Sequence, residues 1–351
     1  MNLTVEVNEP IIDFSYFNNE YREEGLSGFI RAKNEGEFLA DAIESWLPLL
    51  DELIIVFNDC QDNTEEVAEE YARRYPDKIK VFHYLPIVYP QGSSMYKSLD
   101  ERDFHSLVHY YNFALSKTTK KWAVKIDGDL LLVPEMVSTL RDKYNDMCKN
   151  GIDNYLPVSG VNVILENDEF YVPSSSKFCG TNGDLCIFRV DVDSIFKKNK
   201  ETEYLDLSNR KKLENIFAYY HLKFIKSDYG LGNYDFKSNP RSRYLPKTII
   251  FLLTTHLIKL DYFIRINKQN SNGLNVFSID LLMDLKSKME SRFSYKKQAL
   301  KYLDISYKDI YIKEFLQEAK LYCLCEIINS SLYKKLKSYP HLMKFIRLLR
   351  G

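Results

Sequence analysis

Hydrophobic residues follow two rhythms along the first 240 positions, and the alternation between them sets out an architecture. Leu26-Ser-Gly-Phe-Ile-Arg31, Leu53-Ile-Ile-Val-Phe57 and Ile79-Lys-Val-Phe-His-Tyr84 are short apolar runs. The second, continuous and rich in β-branched residues, has the composition of a central strand covered on both faces. Between the runs, Phe38, Leu39, Ala42, Ile43, Trp46 and Leu50 recur at helical spacing, as do Val67, Ala68, Tyr71 and Tyr75 before Pro76 stops the pattern. Asp62 or Thr64 is placed to cap that second helix. Strand, helix, strand, helix and strand within about sixty residues imply right-handed parallel crossovers and a doubly wound sheet.

A helical period over 99–115 leads into Trp122, Val124 and Ile126, which alternate with Ala123, Lys125 and Asp127 as in a strand. Pro134 suits the first turn of the next helix, which carries Met136, Val137, Leu140, Tyr144 and Met147 inward and stops at Gly151. The stretch 155–235 is less regular. Strands are expected at 156–165, at 170–172 and from a glycine-punctuated loop to Arg189, and His221 sits inside the aromatic run Phe217–Lys226. Residues 1–24 read as a lead-in strand or loop. Beyond Tyr244 the pattern turns helical, and the stretch 333–350 is basic, amphipathic and free of acids. The expected fold is therefore α/β, a Rossmann-type mixed, mostly parallel sheet flanked by helices over 1–244, with a helical region over 245–351.

Composition narrows the function classes. A net charge of -1 over 351 residues gives no reason to expect a polyanionic partner, so nucleic acid is not anticipated. The 26 Tyr and 21 Phe are read first as core and only second as platforms for sugars or bases. The cysteines at 60, 148, 179, 186, 323 and 325 lack a Cys-x-x-Cys pair, which argues against a zinc ribbon and for reduced thiols. Met1–Pro10 has neither the basic nor the apolar part of a secretory signal, so a cytoplasmic location is expected. The apolar run from Leu245 to Ile264 is broken by Lys247, His256, Lys259 and Asp261 and makes a poor membrane span. His105 and His109 are expected on one helix face at i and i+4, but Ser106 stands where a zincin motif needs glutamate, so both are read as structural or solvent-facing.

The chemistry concentrates on Asp127-Gly128-Asp129. These acids end a strand, at the edge where open α/β sheets place ligands, and Gly128 is expected to turn the backbone sharply so that both carboxylates converge on a hard cation. Asn58-Asp59 ends the earlier strand. Carboxylates beside a nucleotide diphosphate repel it unless a divalent cation lies between them, so a Mn2+ or Mg2+ cofactor is expected with the ligand.

Three segments, in order, then carry a resemblance: Phe29-Ile-Arg-Ala-Lys-Asn-Glu35, Ile54-Ile-Val-Phe-Asn-Asp-Cys-Gln-Asp-Asn-Thr64, and Tyr111-Asn-Phe-Ala-Leu-Ser-Lys117 followed by Asp127-Gly-Asp129. The region from about 26 to 235 resembles a GT-A-fold glycosyltransferase of the family-two type. The resemblance implies that Ala32 and Glu35 border the base, that Asp59 contacts base or ribose, and that Asn112 belongs to the nucleotide-sugar site. It makes Asp127 a ribose or metal-water contact, Asp129 the direct metal ligand and His221 a late metal or phosphate contact. The competing roles are a helix cap for Asp59, a packing amide for Asn112 and a packed strand histidine for His221. The Glu-Asp pair that supplies the base in inverting members is absent, and Asp184 is its replacement by chain order, with turn capping as the alternative.

What the resemblance implies is transfer of a sugar from a UDP-linked donor to a hydroxyl of a glycan or glycolipid in surface polysaccharide synthesis. The basic tail adds peripheral contact with the inner membrane face. Two rivals stand beside it. A haloacid-dehalogenase-like phosphohydrolase also ends a strand in Asp-x-Asp, but Leu131 occupies the place of its usual Thr or Val. A glycan-binding protein on an inactive transferase scaffold would bind without turnover.

Overall fold

A computed structural model describes residues 4–150, 154–174, 185–199, 202–236, 244–269, 272–289 and 294–304. The first half of the chain builds β1 (Thr4–Val7), β2 (Glu23–Ala32), α1 (Leu39–Trp46), β3 (Glu52–Phe57), α2 (Thr64–Arg74), β4 (Ile79–Tyr84), α3 (Ser94–Ser98), α4 (Leu107–Ser116) and β5 (Lys120–Ile126). All five strands are parallel, in the spatial order β1-β4-β3-β2-β5. β3 is buried at every position, as its unbroken apolar sequence requires of a central strand. The lead-in segment contributes β1 as an edge strand on β4.

The second half adds β6 (Leu130–Leu132), α5 (Met136–Asn150), β7 (Asn154–Asn162), β8 (Ile164–Glu166), β9 (Glu169–Pro173), β10 (Leu185–Arg189), β11 (Phe196–Asn199), β12 (Thr202–Leu205), β13 (Lys211–Lys212) and β14 (Ile216–His221). Here the sheet turns mixed. β10 runs antiparallel to both β5 and β7, β14 is parallel to β7, and β6 closes the order antiparallel to β14. The last described part holds α6 (Tyr244–Thr254), β15 (Leu257–Lys259), α7 (Leu260–Asn267), α8 (Asp280–Leu285) and α9 (Tyr295–Tyr302). The expected mixed, mostly parallel sheet with flanking helices is present.

Two cores sandwich the sheet. On one face α1, α2 and α5 bring Leu39, Ile43, Trp46, Ala68, Tyr71 and Leu140 against the strands. On the other, α4 packs Val108, Tyr110, Phe113 and Leu115 against Phe29, Ile54, Ala123 and Phe188. Leu260, Phe263, Leu274 and Phe277 belong to the first core, and β15 pairs with β9, so the described segment from β15 to Phe277 packs into the body that carries the sheet. Residues 305–351, with the basic stretch, lie outside those described.

The structure departs from the sequence reading in three places. Helix α4 begins at Leu107 and not at 99, because Asp100 and Asp103 accept hydrogen bonds from the backbone N–H of Arg102 and His105, both at 2.8 Å, and hold 99–106 in local turns. Leu130–Leu132, for which the sequence predicts no strand of its own, forms β6 by pairing with β14 some ninety residues away. The β11–β12 hairpin has no counterpart among the expected strands, since its Lys, Asn, Thr and Glu residues lack an apolar alternation.

Candidate active site

The carboxyl ends of β2, β3 and β5 lie side by side, with Ala32 opposite Phe57 and Ile30 opposite Ile126. Residues 33–35, Asn58-Asp59 and Asp127 therefore leave the sheet at one edge. From the other half, β14 ends at that edge with His221 paired to Leu130, the first residue of β6. This register decides the site. It sets Asp129 next to His221, and Leu222 N–H donates to the Asp129 carbonyl at 2.9 Å. The His221 Nε2 lies 3.3 Å from Asp129 Oδ1, the Asp129 side chain being 4% exposed and the His221 side chain 17%.

The two acids are held differently. Burial works to raise Asp129, but the imidazole of His221, by charge and by hydrogen bond, and the ammonium groups of Lys226 and Lys223 outweigh it, leaving the carboxyl well below the usual range. Burial also opposes ionisation of Asp127, where Lys125 and Arg31 prevail and lower it. Lys125 Nζ lies 3.0 Å from Asp127 Oδ2, from two residues earlier on the same face of β5. Arg31 stacks its guanidinium on the Tyr111 ring, 3.5 Å from the centroid, and donates to the Tyr111 hydroxyl.

Glu35 lies behind the turn, not on an open nucleotide wall. It is 6% exposed and its Oε2 is 2.8 Å from Lys226 Nζ, itself 3% exposed. Burial raises Glu35, the Lys226 ammonium offsets only part of this, and Asp129 and Asp127 add to the rise, pushing it up to about 8. A Cβ on Gly128 would come within 2.8 Å of Glu35 Cβ. The glycine is thus needed for this close approach, because Gly128 is absent from the positive-φ glycines and the expected conformational reason does not apply. Glu37 extends the contact by accepting from Ser227 N–H at 2.8 Å.

The remaining residues are placed as follows. Ala32 is fully buried at the end of β2. Asp59 has a left-handed backbone, φ 45°, and its exposed carboxylate pairs with Lys33 at 2.7 Å, so capping α2 is not its role. Asp62 holds that corner instead, accepting from Thr64 N–H at 3.1 Å and from Gly36 N–H at 2.9 Å. Asn112 uses both ends of its amide on the Phe196 backbone, at 2.9 and 2.8 Å, which ties α4 to β11. Asp184 lies outside the described residues. The structure thus brings together Asp127, Asp129, His221 and Glu35, with Asp59 at the same edge and Asn112 turned to packing.

Lys125, Lys226 and Arg31 escaped the sequence reading. A usable signal existed for Lys125, a lysine two positions before an aspartate in an otherwise apolar strand. Lys226 ends an aromatic run, and its partner is 191 residues away in the chain. His105 and His109 do not share a helix face. His105 precedes α4 and contacts the Ile87 carbonyl at 2.7 Å, while His109 Nδ1 meets the Tyr84 hydroxyl at 3.0 Å. Cys60, Cys148 and Cys186 are free thiols.

Among the described residues, no three His, Cys, Asp or Glu side chains are grouped to hold a metal ion by themselves. Asp129 and His221 offer one carboxylate oxygen and one imidazole nitrogen. That fits a Mg2+ or Mn2+ bound with substrate phosphates, because such ions keep few protein ligands and complete their shell from phosphate and water. Among the described residues no helix is long and apolar enough to cross a membrane.

No curated protein matches the chain. Among solved structures it is similar to glucosyl-3-phosphoglycerate synthase from Mycobacterium tuberculosis in complex with Mn2+, UDP and phosphoglyceric acid, at 19% identity over 45% of this chain and 50% of that chain, TM-score 0.27. The same synthase with Mg2+ and UDP matches at 19% identity over 44% and 50%, TM-score 0.27. A further mycobacterial protein matches at 16% over 42% and 44%, TM-score 0.27. The chain spans about half the length of these structures. Residues 24–310, which include every strand of the large sheet except β1 and every residue of the edge just described, match the family model described as Beta-1,4-N-acetylgalactosaminyltransferase (CgtA). With most of its length so matched, the chain belongs to the CgtA β-1,4-N-acetylgalactosaminyltransferase family.

Proposed function

We propose that this protein is a metal-dependent glycosyltransferase that moves N-acetylgalactosamine from a UDP-linked donor to a sugar hydroxyl. The observation that carries the reading is the Asp129–His221 pair, 3.3 Å apart at the shared strand edge with Asp127 beside it. Family membership gives the reaction class. The donor's nucleotide lies along the ends of β2 and β3, by Ala32 and Asp59, and its diphosphate lies toward Asp129.

Asp129 and His221 would hold Mn2+ or Mg2+, whose chemistry is to neutralise charge on the departing diphosphate. The chain's own residues do the rest. Asp129 stays ionised at neutral pH, so it enters the complex without first losing a proton. Lys226 and Lys223 add positive charge around Asp129, which favours an anionic donor. A β-linked product from an α-linked nucleotide sugar requires inversion. The acceptor oxygen bonds to the anomeric carbon as the bond to the diphosphate oxygen breaks, and the hydroxyl proton passes to a base. We place that base on Asp184, which immediately precedes β10 in the chain, an assignment resting on chain order and lying outside the described residues.

A glycan or glycolipid acceptor of surface polysaccharide synthesis, and peripheral contact of the basic 333–350 stretch with the cytoplasmic membrane face, complete the proposal. Thermal unfolding with a panel of nucleotide sugars tests it. At a ligand concentration a hundred times Kd, a true donor stabilises by about 2.7 kcal/mol. UDP-N-acetylgalactosamine should raise Tm with Mn2+ and not with EDTA. A metal-independent rise, or none with any UDP sugar, would refute the reading.

A further inference from the structure

Two cations reach Asp127 from a single aromatic seat, and no role assigned above uses that seat. In the β2–β5 register Phe29 lies opposite Lys125 and Ile30 opposite Ile126. Phe29 and Ala123 belong to the core under α4, so alternation along the two strands sends Arg31, Lys125 and Asp127 to that same face. Lys125 Nζ lies 3.0 Å from Asp127 Oδ2 and 5.6 Å from the centre of the Tyr111 ring. The Arg31 guanidinium, whose positive charge also acts on Asp127, is 3.5 Å from that ring centre and donates to the Tyr111 hydroxyl.

Tyr111 is fixed from behind. Its ring stacks on Phe196 of β11, with centroids 4.5 Å apart and planes tilted by 20°. A guanidinium only 3.5 Å from the ring centre leaves no room for a second stacked group on its side, so Arg31 and Phe196 take opposite faces of the ring. Asn112, the next residue of α4, grips the Phe196 backbone with both ends of its amide. A continuous line of contacts therefore runs from β11 through Phe196, Tyr111 and Arg31 to the strand edge.

Stability alone does not account for this arrangement. Arg31 Nε is shut off from solvent and has no hydrogen-bond partner, a cost that a purely structural arginine would avoid. Stacking on the ring gives the planar cation a fixed place beside the carboxylate, which a flexible lysine would not keep. We propose that Tyr111 is a positioning residue: backed by Phe196, it seats Arg31 and Lys125 so that they hold the Asp127 carboxylate in the orientation that meets the nucleotide-sugar donor. The seat stands on geometry, whereas its part in donor binding rests on the glycosyltransferase reading.

A double-mutant cycle on the full chain tests it, with affinity for UDP-N-acetylgalactosamine in Mn2+ measured by calorimetry. Tyr111→Leu should weaken binding by about tenfold, and Tyr111→Phe, which keeps the ring, by no more than about threefold. Added to Asp127→Asn, Tyr111→Leu should cost no more than about a further twofold, because the group it positions is already lost. Arg31→Lys keeps the charge without the planar stack and should follow the same pattern, which serves if Tyr111→Leu does not fold. Equal factors in both backgrounds, Tyr111→Phe as damaging as Tyr111→Leu, or wild-type affinity in Tyr111→Leu and Arg31→Lys would overturn the proposal.

NMR of the 15N-labelled arginine side chains separates the seat from the reaction. The Arg31 Nε–H signal, identified by its loss in Arg31→Lys, should exchange slowly with water in wild type and Tyr111→Phe, and about tenfold or more faster in Tyr111→Leu. It should also shift in Asp127→Asn. Slow exchange that survives Tyr111→Leu, or a signal indifferent to Asp127→Asn, would overturn the seat. The expected NMR pattern in a protein that binds no nucleotide sugar would uphold the seat and overturn its part in donor binding together with the glycosyltransferase reading.

Discussion

The two halves of the large sheet are built on different principles, and the candidate site lies along their seam. In the parallel half, β2, β3 and β4 follow one another by local crossovers while β1 and β5 are added at the flanks, and the polar groups this half sends to the edge, Asp59 with Lys33 and Asp127 with Lys125, find partners within the same half. In the mixed half, β10, β7, β14 and β6 come together from distant segments. That half supplies Asp129, His221 and Lys226, all nearly or partly buried and all partnered across long sequence separations. The parallel half thus offers a generic ligand edge, and the mixed half converts it into a cation-ready one. Burial explains the difference, since a charge withdrawn from water is tolerated only where another segment delivers its partner.

The largest effect should come from separating the two acids across the seam. Asp129→Asn should lower kcat by about a thousandfold and Asp127→Asn by only about ten- to a hundredfold, because only Asp129 pairs with His221. Equal losses in a steady-state transfer assay would erase the distinction between the halves. Next, Lys226→Met leaves the buried Glu35 carboxyl, already raised by burial, without its hydrogen-bond partner and should destabilise the protein by about 2 kcal/mol in urea unfolding, with Glu35→Leu in the same chain restoring much of it. A negligible loss would mean that the Lys226–Glu35 contact does not stitch the halves together.

Gly128→Ala tests the seam from its centre. The added Cβ meets Glu35 Cβ at 2.8 Å, so a cost of about 2 kcal/mol is expected together with weaker Mn2+ affinity, measured by denaturation and calorimetry. The smallest effect belongs to the parallel half. Burial lowers His109 from 6.5 to about 4, so its contribution to stability is complete above pH 6.5 and is lost as pH falls toward 4, where the unfolded chain takes up a proton that the folded one refuses. His109→Gln should flatten the dependence of Tm on pH across that window without changing activity at pH 7. An unchanged slope would show that His109 is not the group responsible.

Legibility in the sequence follows the same division. β3 and the helices α1 and α2 could be read because local periodicity specifies them, and Asp127-Gly128-Asp129 could be read because its chemistry and its strand are contiguous. Asp129 and His221 were each singled out, but their meeting depends on the β14–β6 register, which no local pattern encodes. The reason for Gly128 was misread for a related cause, since the atom it must avoid belongs to Glu35, far back in the chain. Lys226 and the packing role of Asn112 were invisible because their partners lie roughly eighty or more residues away.

The sequence alone determined a doubly wound beginning, an acidic strand end and a family resemblance, all consequences of short-range spacing and residue chemistry. Only the tertiary structure decided which acid is buried and which histidine and lysine answer it. Those are outcomes of strand register and desolvation, and both arise only when distant segments close over the same charge.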